Sequence, residues 1–252
     1  MGMNRLRVQT RVVAAVLAVA AGVPFGANAQ QPPPPTLSFS NSRATSIPPA
    51  AKYEDSVSQR SFVLDRSGDE TLMKFDDSPE VYALRATTAQ RGDDFLRNDA
   101  GELMLRVTEQ GNVIAYVGAK TGAPADIAGA AAPLNAPAMS GSLTQSVKDA
   151  AESLSKIAGH DVTIFGAGEF ASDEEWAADA LTMTVLGVER ANGLAHTAAQ
   201  GLKAVRLDRA GAATATYKDG ELVLGVNPDA GYAGRPSSEA IANAITAKRA
   251  GT

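Results

Sequence analysis

A strand pattern that occurs twice, over residues 62–85 and 95–117, constrains the fold of this chain more than any other feature. With one gap, the copies align at five pairs: Phe62/Phe95, Gly68/Gly101, Glu70/Glu102, Val81/Val113 and Ala83/Ala115. Each copy contains three short apolar runs separated by two polar turns. The pattern predicts an antiparallel β-meander unit of about six short strands over residues 56–118. Ordinary meander spacing and true duplication both account for the repeat.

The first 29 residues have the three parts of a secretory signal peptide. Three arginines lie among the first 11 residues, an apolar run of about a dozen residues follows, and Ala27-Asn28-Ala29 is a small-x-small cleavage site. The apolar run is shorter than the ~20 residues that a membrane-spanning helix needs. We therefore expect cleavage near Ala29, export to the periplasm or the medium, and no membrane span after processing.

Composition narrows the classes of function. The chain contains no cysteine, which excludes disulfides, thiolate chemistry and lipid attachment through cysteine. The net charge of -5 becomes -8 after cleavage, because the leader carries three arginines and no acidic residue. No basic stripe is visible, and nucleic-acid binding depends on lysine and arginine that neutralise phosphates. Nucleic acid is therefore not an expected partner.

Two segments rich in proline or alanine flank the strand pattern. Residues 30–55 contain four consecutive prolines and a later proline pair, which favours a disordered tether. A proline-rich recognition segment is the alternative. Residues 119–141 consist largely of Ala, Gly and Pro without periodicity, which is typical of a linker or a covering loop. A second unit then spans residues 142–250.

The second unit begins with two helices and a strand between them. Ser142 and Gln145 form a capping box for the first helix, and Gly159 ends it. Residues 161–165 predict a short buried strand. Ser172, with Glu175, predicts the start of a longer helix that runs to about residue 200.

Three strands and a closing helix complete the second unit. The strands are predicted over residues 204–208, 213–217 and 221–226, and Asp219-Gly220 is a strong hairpin signal between the last two. The final helix starts near Ser237. The fold class is therefore α+β: a β-meander unit, followed by an α+β unit whose helices pack on an antiparallel sheet.

Four segments of the chain resemble a family of uncharacterised exported bacterial proteins. They are SFVLDRSG at residues 61–68, FDDSPEVYAL at 75–84, RNDAGELMLRVTEQGNV at 97–113 and AGRPSS at 233–238. The chain is similar over residues 53–247 to domain-of-unknown-function family 4908. The resemblance implies export and supplies no activity, cofactor or site residue.

Catalytic and metal sites lack a clear signature. A serine triad would need His160 or His196, and no G-x-S-x-G motif is present to expose a serine. His160 follows a helix stop and His196 falls in the last turns of the second predicted helix, where a cation is favoured. The acidic pairs fall at turns and helix starts: Asp76-Asp77, Asp93-Asp94 and Glu174-Glu175. No metal site and no cofactor are expected, while a carboxylate pair for glycoside hydrolysis depends on distances in space.

One loop predicts a binding site. Arg235 offers a bidentate guanidinium, and Ser237 and Ser238 stand at a helix N-terminus whose free N–H groups attract anions. An anionic small ligand or a cell-wall fragment is the expected partner. The alternative is an ordinary N-cap beside a structural ion pair of Arg235.

These observations favour an exported, non-enzymatic envelope or periplasmic protein with a binding or structural role. The alternative is a hydrolase of unrecognised type in the cell envelope. Clustering of the histidines with a serine or an aspartate in a cleft would favour the enzyme.

Overall fold

The structure, a computed structural model, describes residues 48–89, 92–116 and 121–247. Within these residues lie twelve strands, three α-helices and three 3-10 helices. The predicted leader and the first part of the predicted tether lie outside the described residues. None of the helices in the described ranges is long and apolar enough to span a membrane.

The first eight strands form a closed antiparallel barrel in chain order, with the first strand paired to the eighth. The strands are β1 (Ala50–Asp55), β2 (Ser61–Asp65), β3 (Thr71–Phe75), β4 (Val81–Thr88), β5 (Asp94–Arg97), β6 (Leu103–Val107), β7 (Val113–Ala115) and β8 (Ala123–Ala130). The predicted antiparallel meander of about six short strands, a sheet or partial barrel, is therefore corrected to a closed antiparallel barrel of eight strands.

The two strands that close the barrel lie inside segments predicted as tether (30–55) and linker (119–141). β1 places Ala51 and Tyr53 in the core, and β8 places Ala123 and Ala125 there. Alanine has a low strand propensity, and Tyr53 in β1 and Ile127 in β8 are the only aromatic or β-branched residues of these two strands. Closure itself stabilises both strands, because each covers an edge that would otherwise be unpaired.

Side chains fill the barrel interior. Tyr53 stacks on Phe62 with ring centroids 5.5 Å apart, and Phe75 contacts Phe62 and Tyr82 edge to face at 5.9 and 6.3 Å. The remaining interior consists mostly of buried Leu, Val, Met and Ala. An eight-stranded barrel is just wide enough for such side chains to fill, so the barrel is a packed core.

A second sheet follows the barrel, with the strand order β11-β12-β10-β9. Its strands are β9 (Thr163–Phe165), β10 (Ala204–Arg209), β11 (Thr214–Lys218) and β12 (Glu221–Val226). β10 runs parallel to both β9 and β12, and only the β11/β12 pair is antiparallel. The predicted antiparallel sheet is therefore wrong, and the sheet is mixed.

The strand order follows burial. β12 is the more apolar strand of the hairpin and takes an inner position, whereas β11 has alternating exposed residues and lies at the edge. The predicted hairpin turn is present, with positive φ at Asp219 (54°) and Gly220 (92°), as a type I′ turn requires. β9 lies at the other edge, and Phe165 is 51 % exposed, so the prediction of a buried strand there is also corrected.

Three helices pack with this sheet: α1 (Leu143–Ala158), α2 (Glu174–Leu194) and α3 (Ser238–Ala247). α1 has the predicted ends, since Ser142 Oγ accepts from Gln145 N at 3.3 Å and Gly159 is left-handed at φ 79°. α2 is shorter than predicted. Its N-cap is Asp173 and not the predicted Ser172, whose Oγ donates to the Asp173 carboxylate, and the helix ends at Leu194 ahead of a 3-10 helix at Ala199–Gly201.

Candidate ligand-binding cleft

A small apolar cluster joins the barrel to the helical layer. Leu72 and Val81 on the outer face of the barrel pack against Tyr232, which lies in the 3-10 helix Pro228–Gly234. Tyr232 also contacts Trp176 of α2 edge to face, with ring centroids 5.2 Å apart. This cluster is separate from the barrel core and from the core of the helical layer.

Arg235, the first residue of the predicted anion site, is 3 % exposed. Its guanidinium donates to the carboxylate of Asp179 on α2 and, from NH2, to the backbone oxygen of Val81 at 2.8 Å. One side chain thereby connects the second helix to the barrel wall. The contacts of Arg235 are those of a structural ion pair.

Ser237 and Ser238 are also buried, at the N-terminus of α3. Ser238 donates from N and from Oγ to the two carboxylate oxygens of Glu80, at 2.8 and 2.5 Å. Ser237 N donates to Asp99 at 2.8 Å, while its Oγ accepts from Ala240 N at 3.1 Å.

The structure therefore brings Arg235, Ser237 and Ser238 together. Carboxylates of the same chain bind all three residues. A helix N-terminus attracts anions, and here the anions come from the barrel. This geometry matches the alternative of an N-cap beside a structural ion pair. Binding of an external anion at Arg235, Ser237 and Ser238 stays a prediction.

A cleft of about 460 Å³ lies beside this interface. One wall is the barrel, at Lys74, Pro79 and Val81, and the opposite wall is α2. The segment between β8 and α1, residues 131–142, runs along the cleft; we call it the strap. Strap residues 133–140, with Ser146 and Tyr232, complete the lining.

Two hydrogen bonds with side chains elsewhere in the fold hold strap residues Leu134 and Asn135. Leu134 N donates to Asp65 Oδ2 at 2.7 Å, and the Tyr232 hydroxyl donates to the Asn135 carbonyl at 2.8 Å. Burial, together with the charge of Asp179, raises the pKa of Tyr232 to about 12, so the phenol keeps its proton for this bond. The pKa of Asp65 is lowered: burial opposes ionisation, but hydrogen bonds from Ser67 and Leu134 outweigh it.

One face of α2 forms the helical wall, through Glu175, Ala178, Asp179 and Thr182. Their spacing of three, four and seven residues places all four on the same side of the helix. In the sequence this face reads as ordinary polar surface, and Glu175 as an acid at a helix start. The signal that could have revealed it is a small and polar face flanking the buried stripe of Ala180, Met183 and Gly187.

Two charged residues of the cleft have no hydrogen-bond or ion-pair partner among the described residues. They are Lys74 and Glu175, both half-buried. Lys74 is the register partner of Val81 on β4, so its side chain lies on the outer barrel face that Val81 shares with Tyr232. By contrast, Asp179 is neutralised by Arg235.

The two histidines lie on the surface, and neither lines the cleft. The ring of His160 contacts the carbonyls of Gln200 at 3.0 Å and Asp161 at 3.2 Å, and these two carbonyls raise its pKa. Both ring nitrogens of His160 therefore face backbone carbonyl oxygens. His196 lies beyond the end of α2, and its predicted position in the last turns of that helix is corrected.

Two of the three acidic pairs of the sequence, Asp76-Asp77 and Asp93-Asp94, contribute aspartates to ion pairs. Asp76 pairs with Lys52, Asp77 with Arg60, and Asp93 with Arg106. Across residues 48–89, 92–116 and 121–247, no three His, Asp or Glu side chains come together in a way that could hold a metal ion.

Comparison with known proteins identifies the family. A family model for a domain of unknown function, DUF4908, matches residues 35–245 of the 252 residues. No curated protein and no solved structure matches the chain. The match confirms the resemblance predicted from the four sequence segments, and its span includes every described strand and all but the end of the last helix. The chain belongs to the DUF4908 family.

Proposed function

We propose that this protein is an exported, non-enzymatic binding protein of the bacterial envelope, which holds a small polar ligand in the cleft between the barrel and α2. The observation that carries the proposal is the cleft itself, with one ammonium and one carboxylate that lack partners in the described chain. Its volume of about 460 Å³ falls within the range of about 300–1,000 Å³ that small-molecule sites occupy.

The walls of the cleft are held before a ligand arrives. Arg235 connects α2 to the barrel, and two hydrogen bonds fix the strap. A preformed site loses less conformational entropy on binding than one that must be ordered by its ligand. The arrangement therefore supports binding.

The contacts of two hydroxyls that line the cleft, those of Ser146 and Thr182, favour binding over catalysis. A nucleophilic serine or threonine needs an adjacent base that removes its proton. Ser146 Oγ donates to the carbonyl of Ser142, and Thr182 Oγ1 donates to the carbonyl of Ala178. A carbonyl oxygen accepts a hydrogen bond but does not serve as a general base, so these contacts do not activate either hydroxyl.

Export is supported by the order of the leader, in which a basic start, an apolar run and a small-x-small site follow one another. The intact mass of the protein recovered from its native cells should correspond to a chain that begins at Gln30. A protein that retains Met1 would contradict export.

Thermal-shift screening against cell-wall fragments, sugars, peptides and amino acids tests the binding function. A ligand that binds only the folded state raises the melting temperature in proportion to its concentration and affinity. Thr182→Trp, on the exposed part of the cleft wall, should abolish the shift. The matched control is Thr144→Trp, an exposed threonine of α1 outside the cleft lining.

The thermal shifts of the wild-type protein and the two variants decide whether the cleft is the binding site. A shift in the wild-type protein and in Thr144→Trp, but not in Thr182→Trp, assigns binding to the cleft. A shift that survives Thr182→Trp, or no shift with any class of compound, rejects the cleft as the binding site.

A further inference from the structure

We infer that the cleft binds a zwitterion of the amino-acid or short-peptide class, with the ligand carboxylate at Lys74 and the ligand ammonium at Glu175. This inference rests on the proposed binding function and names the chemistry of its ligand.

Lys74 provides the cationic end of the site. Lys74 is half-buried, and its register partner on β4 is the apolar Val81. Lys52 and Arg60, two other cations of the barrel wall, each pair with an aspartate. Lys74 has no such partner among the described residues, so a bound carboxylate would compensate its partial loss of water.

Glu175 provides the anionic end. It lies in the first turn of α2, where the helix dipole favours a carboxylate, and it lines the cleft, whereas its neighbour Glu174 does not. No described side chain neutralises it. A ligand ammonium in the cleft would form a charge-assisted hydrogen bond with it.

The charge balance of the cleft selects a ligand with both groups. Asp179 and Arg235 cancel one another, which leaves one positive charge at Lys74 and one negative charge at Glu175. A purely anionic ligand would place a second negative charge near Glu175. A purely cationic ligand would place a second positive charge near Lys74. A zwitterion satisfies both walls at once.

The strap adds hydrogen-bond acceptors. Pro133 and Pro137 line the cleft, and proline has a backbone carbonyl but no N–H. Strap residues 133–140 therefore offer more carbonyl acceptors than N–H donors. This surplus suits the amide N–H and ammonium groups of a peptide more than the carboxyl-rich surface of an acidic sugar.

Isothermal titration calorimetry of the full chain tests the inference with L-alanyl-L-alanine and D-alanyl-D-alanine as probes. At least one should bind, and its N-acetyl and C-terminal amide derivatives should each bind about tenfold or more weakly, since each loses one charge-assisted bond. Because these arms use the wild-type protein, a folding defect cannot produce the result.

Two variants assign the ends of the ligand. Lys74→Met should weaken the unmodified dipeptide about tenfold or more and leave the affinity for the amide derivative unchanged. Glu175→Gln should weaken the unmodified dipeptide similarly and leave the affinity for the N-acetyl derivative unchanged. Lys148→Met on α1 and Glu174→Gln in the same turn as Glu175 are the matched controls, and both should bind as the wild type does.

Three outcomes overturn the inference. In the first, the blocked derivatives bind as tightly as the free dipeptides. In the second, both charge variants retain wild-type affinity. In the third, neither dipeptide binds while a compound that is not a zwitterion gives a thermal shift that Thr182→Trp abolishes, in which case the zwitterion is wrong and the proposed binding function stands. If no compound of any class binds, the proposed function fails as well.

Discussion

The carboxylate of Glu80 binds both the backbone and the side chain of Ser238. One oxygen accepts from Ser238 N at 2.8 Å and the other from Ser238 Oγ at 2.5 Å. Glu80 precedes β4 of the barrel, whereas Ser238 is the first residue of α3, and both are buried. The barrel thus supplies the cap of a helix in the other layer, and the fold of α3 depends on a residue far away in the chain.

Glu80→Gln should lower the free energy of unfolding by about 1–3 kcal/mol, because a neutral amide offers one acceptor in place of two charged ones. Urea unfolding followed by circular dichroism measures the change. Glu152→Gln, on the exposed face of α1, is the control and should change stability by less than about 0.5 kcal/mol. A loss no larger than that of the control would mean that Glu80 does not hold the two layers together.

Arg235→Ala should destabilise the protein by about 3–5 kcal/mol, because it leaves the carboxylate of Asp179, whose side chain is only 11 % exposed, without its cation. The double variant Arg235→Met/Asp179→Leu should recover much of this loss, since it removes both charges. Equilibrium unfolding of the single and double variants completes the cycle. If the single variant keeps its stability but loses affinity for an anionic ligand, Arg235 is part of the anion site predicted from the sequence.

Local signals in the sequence predict local structure well. Ser142 and Gly159 mark both ends of α1, and Asp219-Gly220 marks the β11/β12 turn. Each of these depends on residues within one turn of the chain, where capping and left-handed geometry have direct residue preferences.

Closure and strand order could not be predicted in the same way. β1 and β8 contain alanines, which have no strong preference for strands. Both segments are stabilised as strands because each pairs with the edge of the other. β12 joins β10 through burial and not through adjacency in the chain. Barrel closure and strand order depend on pairing between distant segments, so neither can be predicted from one segment alone.

In the candidate site, too, local properties could be predicted from the sequence, whereas contacts between the two layers could not. The attraction of the α3 N-terminus for anions is a local property, and the sequence predicts it from Ser237 and Ser238. That Glu80 and Asp99 of the barrel contact this terminus depends on how the two layers pack. Lys74 and Glu175 are likewise brought to one cleft by that packing, so no motif joins them in the sequence.

Gly187→Ala should destabilise the protein by about 1–3 kcal/mol, although alanine favours helices over glycine. A Cβ at this position would lie 2.6 Å from Ile241 Cβ and 2.9 Å from the carbonyl of Ser238, so α2 and α3 would have to separate. Gly193→Ala in the same helix meets no atom within 4 Å and should instead stabilise by up to about 1 kcal/mol.

Thermal unfolding of the two glycine variants provides the comparison. Opposite signs would establish that close contact between α2 and α3 requires Gly187. Stabilisation by both substitutions would show that the helices adjust without cost, contrary to this prediction.

The anchoring of the strap should depend on pH through Asp65. Its pKa is lowered in the folded protein: burial opposes ionisation, but the hydrogen bonds from Ser67 and Leu134 favour the carboxylate more strongly. A depressed pKa contributes stability that is present above the unfolded-state value, about 3.9, and is lost as the pH falls through the folded-state value. The strap should therefore be held firmly at neutral pH and loosen below about pH 4.

Hydrogen exchange of the strap, expressed as protection factors at neutral and acidic pH, measures this directly. Asp65→Asn should reduce the protection of the Leu134 amide at neutral pH, since an amide oxygen accepts more weakly than a carboxylate, and should remove most of its pH dependence. Asp126→Asn, an exposed aspartate of β8, is the control and should change neither quantity. Because Leu134 lines the cleft, ligand affinity should fall together with Leu134 protection in Asp65→Asn. Unchanged protection in that variant would mean that other contacts, such as the bond from the Tyr232 hydroxyl to the Asn135 carbonyl, hold the strap without Asp65.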